Sequence, residues 1–165
     1  MFIRSERLFL RPYWPEDRAE LLALAEGADN SRLPLRSGWP SIAEIEPCEP
    51  QDRRCPRFLV TLPGAQDTRI VGFVGIGRVT EMFEAGLWIA PAFRGRGFAT
   101  EAGRALLSVA RALGLRSVSA RIAFLDDSAR KLLTKLRFEQ QGEIMVRVLD
   151  EPCGGGDSPV PSLAA

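Results

Sequence analysis

Histidine is missing altogether from this 165-residue chain. Its absence removes the usual near-neutral proton acceptor and, with it, the commonest metal ligand. Lysine is nearly missing too, with only Lys131 and Lys135, so positive charge is carried almost entirely by arginine. That bias reads mainly as genomic base composition, and arginine chosen for its phosphate-binding fork is an argument for single positions. Cysteine is limited to Cys48, Cys55 and Cys153, whose number and spacing suit neither a zinc set nor a disulfide framework. Reduced thiols are expected. Neither sign of charge is in excess, the formal net charge being +1, which argues against a generic nucleic-acid binder. Long apolar runs are also lacking. The opening MFIRSERLFL puts Arg4, Glu6 and Arg7 where a secretory signal needs uninterrupted apolar residues, and no stretch approaches a membrane span. A cytoplasmic protein without nucleic-acid or membrane partners is expected.

What is present fits an ordinary globular domain: 45% hydrophobic residues, 26% charged residues and a length that suits one core. The final EPCGGGDSPVPSLAA has no core pattern, so we expect one domain over residues 1–150 and a disordered tail over 151–165. Ser5 to Arg11 reads as a first strand with Leu8 and Leu10 on one face. Pro15 opens a helix helped by Glu16 and Asp17, with Leu21, Leu22 and Ala25 as its apolar stripe and Gly27 as its stop. Residues 28–57 are broken by five prolines, and only Ile42 to Ile45 suggests a helical turn. Strands follow over Arg57–Leu62, Arg69–Gly77 and Phe83–Ala90. A helix from about Gly97 carries Ala99, Ala102, Leu106, Ala110 and Leu113 at spacings of three and four, and Gly114 ends it. Ser117–Phe124 alternates as a strand. Asp126 or Asp127 caps a short helix with Leu132, Leu133 and Leu136 inward, and Glu143–Leu149 is a last strand. The class is mixed α/β.

The chemistry concentrates where the strand ending at Ala90 feeds a helix through PAFRGRGFATEA. A helix start reached through glycines gathers free N–H groups and a positive dipole end, which is an anion site. Gly95 and Gly97 let the backbone approach a phosphate, and Arg94 and Arg96 supply charge. A dinucleotide fingerprint would need glycine at Thr100, and the phosphate loop of nucleotide hydrolases would need Gly-Lys followed by Ser or Thr; both are absent. A purely structural tight turn is the competing account.

Arg94-x-x-Gly97-x-Ala99 resembles the Gln/Arg-x-x-Gly-x-Gly/Ala signature of the GNAT superfamily of N-acetyltransferases. EAGLWIAPAFRGRGFATEA is similar to the longer form in the RimJ/RimL-like branch, SERLFLRP to that branch's first strand and RIVGFVGIGRV to its central hairpin. LDDSARKLLTKLRF resembles the C-terminal Asn-x-x-Ser motif followed by a helix and Leu-Gly-Phe, with Leu125 and Arg137 standing where the family has Asn and Gly. The resemblance runs from about residue 2 to 149. It implies the acyl-CoA N-acyltransferase fold, a mixed and mostly antiparallel central sheet flanked by helices, and acetyl-CoA as acyl donor. The pyrophosphate would rest on Arg94, Gly95, Arg96, Gly97, Phe98 and Ala99, continuing to Thr100. The pantetheine arm would follow the backbone of Leu87, Trp88 and Ile89, where two parallel strands splay. Lys131 and Arg130 would reach a CoA phosphate, or form a solvated helix face. If Arg137 is left-handed, it costs about 1 kcal/mol against glycine.

Acetyl transfer to an amine needs a neutral nucleophile and somewhere for its proton. A lysine side chain of pKa ~10.4 is neutral in about 1 molecule in 2,500 at neutral pH, and an α-amine near ~7.8 in about 1 in 7. A chain without histidine therefore suits an α-amine somewhat better, although a glutamate of raised pKa or a water chain also serves. Glu84 matches a glutamate often found beside the thioester in this branch, the bland account being an exposed strand carboxylate. Glu81 is a weaker alternative. Ser128 matches the serine of Asn-x-x-Ser and is placed to protonate the leaving thiolate or hold CoA, or simply to cap a helix. A tyrosine acid, common in the superfamily, is absent: that position reads as Leu132, and the single tyrosine, Tyr13, lies elsewhere. Trp14 and Trp39 are candidates for lining the acceptor site. No metal is expected, and relatives are monomers or homodimers. The alternatives are a catalytically degenerate acyl-CoA-binding module and, less well matched, another nucleotide-binding α/β domain.

Overall fold

In the computed structural model, the described residues are 1–26, 53–64, 67–121 and 127–149. Leu8 and Leu10, two residues apart and so on one face, are both fully buried, as their spacing predicts. The strand that carries them is shorter than expected. Instead of one strand over Ser5–Arg11 there are two, β1 (Ile3–Arg4) and β2 (Phe9–Arg11), paired antiparallel around a turn closed by Ser5 N–H to the Leu8 carbonyl at 2.9 Å. The turn is held from outside: the Glu101 carboxylate accepts from the Arg7 and Leu8 amides.

Pro15–Asp17 forms a 3-10 turn that runs into α1 (Arg18–Glu26). Asp17 accepts from the Trp14 amide at 2.9 Å, satisfying a donor that the helix start leaves free. It also holds Arg11 through a fork of 2.6 and 2.7 Å. Three antiparallel strands follow, β3 (Arg57–Pro63), β4 (Thr68–Val79) and β5 (Met82–Ile89). Gly72 is required where β4 passes β5, since a Cβ there would fall 2.1 Å from the Trp88 carbonyl oxygen.

Then come α2 (Phe98–Ala112), β6 (Ser117–Arg121), α3 (Asp127–Lys135), β7 (Glu139–Gln141) and β8 (Ile144–Val148). The eight described strands make one sheet in the order β1-β2-β3-β4-β5-β6-β8-β7. Among them only β5 and β6 are parallel, so the sheet is mixed and mostly antiparallel as expected.

Two apolar layers cover the sheet. On one face Val60, Ile76 and Val118 pack with Leu106 and Ala110 of α2, which carries the predicted stripe. On the other, Leu59, Phe73 and Trp88 pack with Leu21 of α1 and with Tyr13, which precedes that helix. Along β5 the period of two sends Phe83, Ala85 and Leu87 toward α2, and Glu84, Gly86 and Trp88 toward α1.

Both α2 and α3 end in a left-handed residue with the paired hydrogen bonds of a Schellman cap, at Gly114 (φ 75°) and at Arg137 (φ 61°). The short helix therefore stops one residue before Leu136, which is buried beyond its end. The last strand begins at Ile144 rather than Glu143, and β7 precedes it unpredicted because Glu-Gln-Gln, exposed throughout, carries no apolar signal. The expected Gly27 stop, the Ile42–Ile45 turn, the end of the Ser117–Phe124 strand, Leu125 and the 151–165 tail lie outside the described residues. Among the described residues no helix is long and apolar enough to cross a membrane.

Candidate active site

The parallel strands β5 and β6 meet at a single described residue pair, Glu84 with Ser119. Next to it a cleft of about 80 Å³ lies with Ala85 and Leu87 on one wall and Ala120 and Arg121 on the other. Leu106 and Leu107 of α2, with Ala129, Leu132 and Leu133 of α3, close it. The lining is almost wholly apolar, a surface for a flexible ligand arm with few polar groups of its own. At Gly103 of α2 the space is taken by Leu136, just past the end of α3: a Cβ there would fall 2.6 Å from Leu136 Cδ1.

At the end of β5 the chain makes a 3-10 turn over Pro91–Phe93 and enters the glycine loop. Gly95 (φ 74°) and Gly97 (φ 81°) are both left-handed, conformations that strongly favour glycine. Gly97 is the N-cap of α2, and its carbonyl accepts from the Glu101 amide at 3.1 Å, the first bond of the helix. The amides of Phe98, Ala99 and Thr100 precede that bond and lie in the first turn, at the positive end of a 15-residue helix. A Cβ at Gly95 would meet nothing within 4 Å, so the loop faces open space there. Arg94 and Arg96 are exposed beside it. Arg94 Nε donates to the Ile89 carbonyl at 2.9 Å, tying the loop to the end of β5. Two left-handed glycines, two exposed arginines and the first-turn amides of a 15-residue helix thus meet in one loop.

Behind this loop lies an assembly that sequence reasoning missed. Glu101 Oε1 accepts from Ser5 Oγ at 2.5 Å, Arg7 N at 2.7 Å and Leu8 N at 3.2 Å. Glu101 Oε2 accepts from Arg7 Nε at 2.9 Å. Arg7 Nη1 donates to the Arg96 carbonyl at 3.0 Å, and the guanidinium lies 4.8 Å from the centre of the Phe98 ring. Burial pushes the Glu101 carboxyl up, but the Ser5 hydroxyl and the Arg7 amide and guanidinium outweigh it and hold the group below its usual range. A signal was available: an acidic residue in the first turn of an anion-binding helix calls for a cation to neutralise it.

Glu84 is 2% exposed, so the account of it as a solvated strand carboxylate does not hold. It stands opposite Gly77 of β4 and Ser119 of β6, with Arg121 Nε 3.6 Å from its Oε2. Burial pushes its pKa up, against the opposing pull of the Arg121 charge. Ser119 Oγ donates to the Phe83 carbonyl at 3.1 Å, helping to hold the seam. Glu81, by contrast, sits in an exposed turn paired with Arg78 at 3.1 Å.

The remaining predicted residues divide by position. Leu87 faces the cleft and Ile89 is buried in the α2-side core. The Trp88 side chain points to the other face, so only its backbone can take the role expected of it; its buried Nε1 has no hydrogen-bond partner among the described residues. Ser128 is exposed in the first turn of α3 and Lys131 is exposed one turn on. Leu132, at the position of the family's tyrosine, lines the cleft. Trp14 stacks on Arg11 at 4.3 Å, and Trp39 lies outside the described residues.

Solved structures share this architecture. A GNAT-family acetyltransferase from Bacillus anthracis superimposes with a TM-score of 0.73 at 18% identity, covering 92% of this chain and 100% of that one. RimJ from Mycobacterium smegmatis, in complex with CoA-disulfide, gives 0.70 at 18% identity over 90% of this chain and 86% of its own. An acetyltransferase from Agrobacterium tumefaciens gives 0.69 at 18%, covering 88% and 92%. At these identities the likeness is one of fold. No curated protein matches the chain by sequence. The model of the acetyltransferase (GNAT) domain matches residues 7–139, and the chain belongs to that family of acetyltransferases.

Proposed function

We propose that the chain transfers an acetyl group from acetyl-CoA to a primary amine, a protein N-terminal α-amine or a small-molecule amine, by direct attack in a ternary complex. One observation carries the reading: β5 walls the apolar cleft with Ala85 and Leu87, carries the buried Glu84 on its opposite face, and leads through Pro91–Phe93 into the glycine loop. The loop suits a diphosphate, the cleft suits a pantetheine arm, and Glu84 stands beside the cleft residue Ala85 with its side chain on the other face of β5. In this reading the first-turn amides of α2, with Arg94 and Arg96, hold the diphosphate, and Lys131 serves a further phosphate. The backbone of Leu87, Trp88 and Ile89 guides the arm.

Glu84 takes the proton of the attacking amine as nitrogen bonds to the acetyl carbon and the carbon–sulfur bond breaks. Its raised pKa brings a carboxylate closer to the basicity this step needs, in a chain that has no histidine to supply it. Ser128, exposed to solvent, donates to the departing thiolate and takes back from water the proton it passes on. An α-amine is favoured as acceptor because so much more of it is neutral at physiological pH.

Calorimetric titration with acetyl-CoA, beside the variant Gly97→Glu, tests the assignment. Micromolar binding by the wild-type chain, lost in a variant that still melts cooperatively, supports the donor site; CoA release on adding α-amine acceptors supports turnover. Donor binding without CoA release for any amine would leave an acyl-CoA-binding module. Absence of binding would leave the family fold without this activity.

A further inference from the structure

Resting on the donor site proposed above, we infer that Arg7 is a positioning residue for the donor's diphosphate. It acts from behind the glycine loop, without touching the ligand. Its Nε and Nη2 both lie 2.9 Å from Glu101 Oε2, and its Nη1 donates to the Arg96 carbonyl at 3.0 Å. All three guanidinium nitrogens are thereby engaged by the protein.

Two consequences follow for an anion at the loop. Holding the Arg96 carbonyl fixes the peptide between Arg96 and Gly97, so the Gly97 N–H opposite that carbonyl is oriented before the ligand arrives. Pairing with Glu101 removes a local conflict. A carboxylate in the first turn of α2 stabilises the helix but repels a diphosphate bound at the same helix end. Arg7, the Ser5 hydroxyl and the amides of Arg7 and Leu8 together satisfy and neutralise it. The guanidinium is further fixed over the Phe98 ring, and a Cβ on Gly97 would meet its Nη2 at 3.4 Å, so the loop is seated directly on this side chain.

The charge argument separates positioning from mere stability. Arg7→Gln leaves Glu101 ionised and uncompensated beside the diphosphate, whereas Arg7→Gln combined with Glu101→Gln leaves no charge there. Titration of acetyl-CoA into the wild-type chain, the single variant and the double variant, each with its melting temperature, reads the difference. The expected result is a loss of about tenfold in affinity for Arg7→Gln, as for one displaced charge interaction, with part of it regained in the double variant, which lifts the repulsion but does not restore the hold on the Arg96 carbonyl. A purely structural role would make the double variant both less stable and weaker than the single. Arg7→Lys keeps the charge but loses the fork, and substitutes if Arg7→Gln does not fold, with a several-fold loss expected. Wild-type binding unaffected by either Arg7 substitution, or a double variant as weak as the single, overturns the inference alone. A wild-type chain that takes up no acetyl-CoA overturns the donor site and this inference together.

Discussion

Arg121 Nε lies 3.6 Å from Glu84 Oε2, bridging the two parallel strands just where their pairing ends. The carboxylate is buried and the guanidinium is half-exposed at 46%, so the cation is hydrated from one side while it faces a group cut off from water. Burial and the Arg121 charge pull the Glu84 proton in opposite directions, and burial wins. The two residues together set how basic the seam is.

Replacing Glu84 with Gln is expected to lower acetyl transfer by about a hundredfold or more, the size of a lost general base. Stability should move the other way. A carboxyl whose folded pKa is raised contributes fully below its unfolded pKa, and that contribution is lost as pH rises through the folded value. At neutral and higher pH the ionised Glu84 is a net cost, so the Gln variant should melt at the same temperature as the wild type or above it. The difference should widen as pH rises from below the ordinary carboxylate range to neutrality, read by thermal unfolding. A variant markedly less stable at pH 8 would contradict this.

Arg121→Ala removes the charge that opposes burial, and Glu84 should then hold its proton to higher pH still. In a pH–rate profile the acidic limb is expected to shift upward, with the plateau reduced less than in Glu84→Gln. An unmoved limb would mean that Glu84 is not the group titrating.

The Arg11–Asp17 fork is buried on both sides, at 9% and 8% exposure. Burial pushes the Asp17 carboxyl up, but the hydrogen bonds from Arg11 and the Trp14 amide and the Arg11 charge hold it below its usual value. Its contribution is therefore present above the unfolded carboxyl pKa and lost as pH falls through the folded one. Asp17→Ala, which strands Arg11, should cost about 3 kcal/mol in denaturant unfolding at neutral pH. That penalty should shrink in acid.

Arg137 holds the left-handed position of a cap that Gly114 fills on the preceding helix. Arg137→Gly should stabilise the fold by about 1 kcal/mol, because only the side chain makes φ 61° costly. Chemical denaturation measures it. A loss of stability would show that the arginine side chain contributes more than its backbone costs.

The fold was legible wherever apolar residues recur with a period. Leu8 and Leu10, the α2 stripe and the meander all follow from spacing, and Gly95 and Gly97 announce a turn into a helix. Family resemblance added Glu84, whose burial no local pattern distinguishes from exposure. What escaped depends on distant partners or has no apolar signature. The turn at Glu6 and Arg7 is fixed by Glu101, whose contact with Arg7 spans 94 residues, and β7 is built from Glu139, Gln140 and Gln141. The face taken by Trp88 was not read from the sequence, because only the sheet's two coverings show which face is which.

A sheet joined at its middle by one described residue pair is, in cooperative terms, two plates. Strands β1 to β5 form one ladder and β6 to β8 another, with α2 as their common backing. Such a seam is a natural boundary between units that open independently, so amide deuterium uptake along it should report the less stable plate before global unfolding. A ligand lying in the cleft would splint the plates together. Part of its binding free energy would then appear as slowed exchange on β6 and β8, far from the phosphates that anchor it.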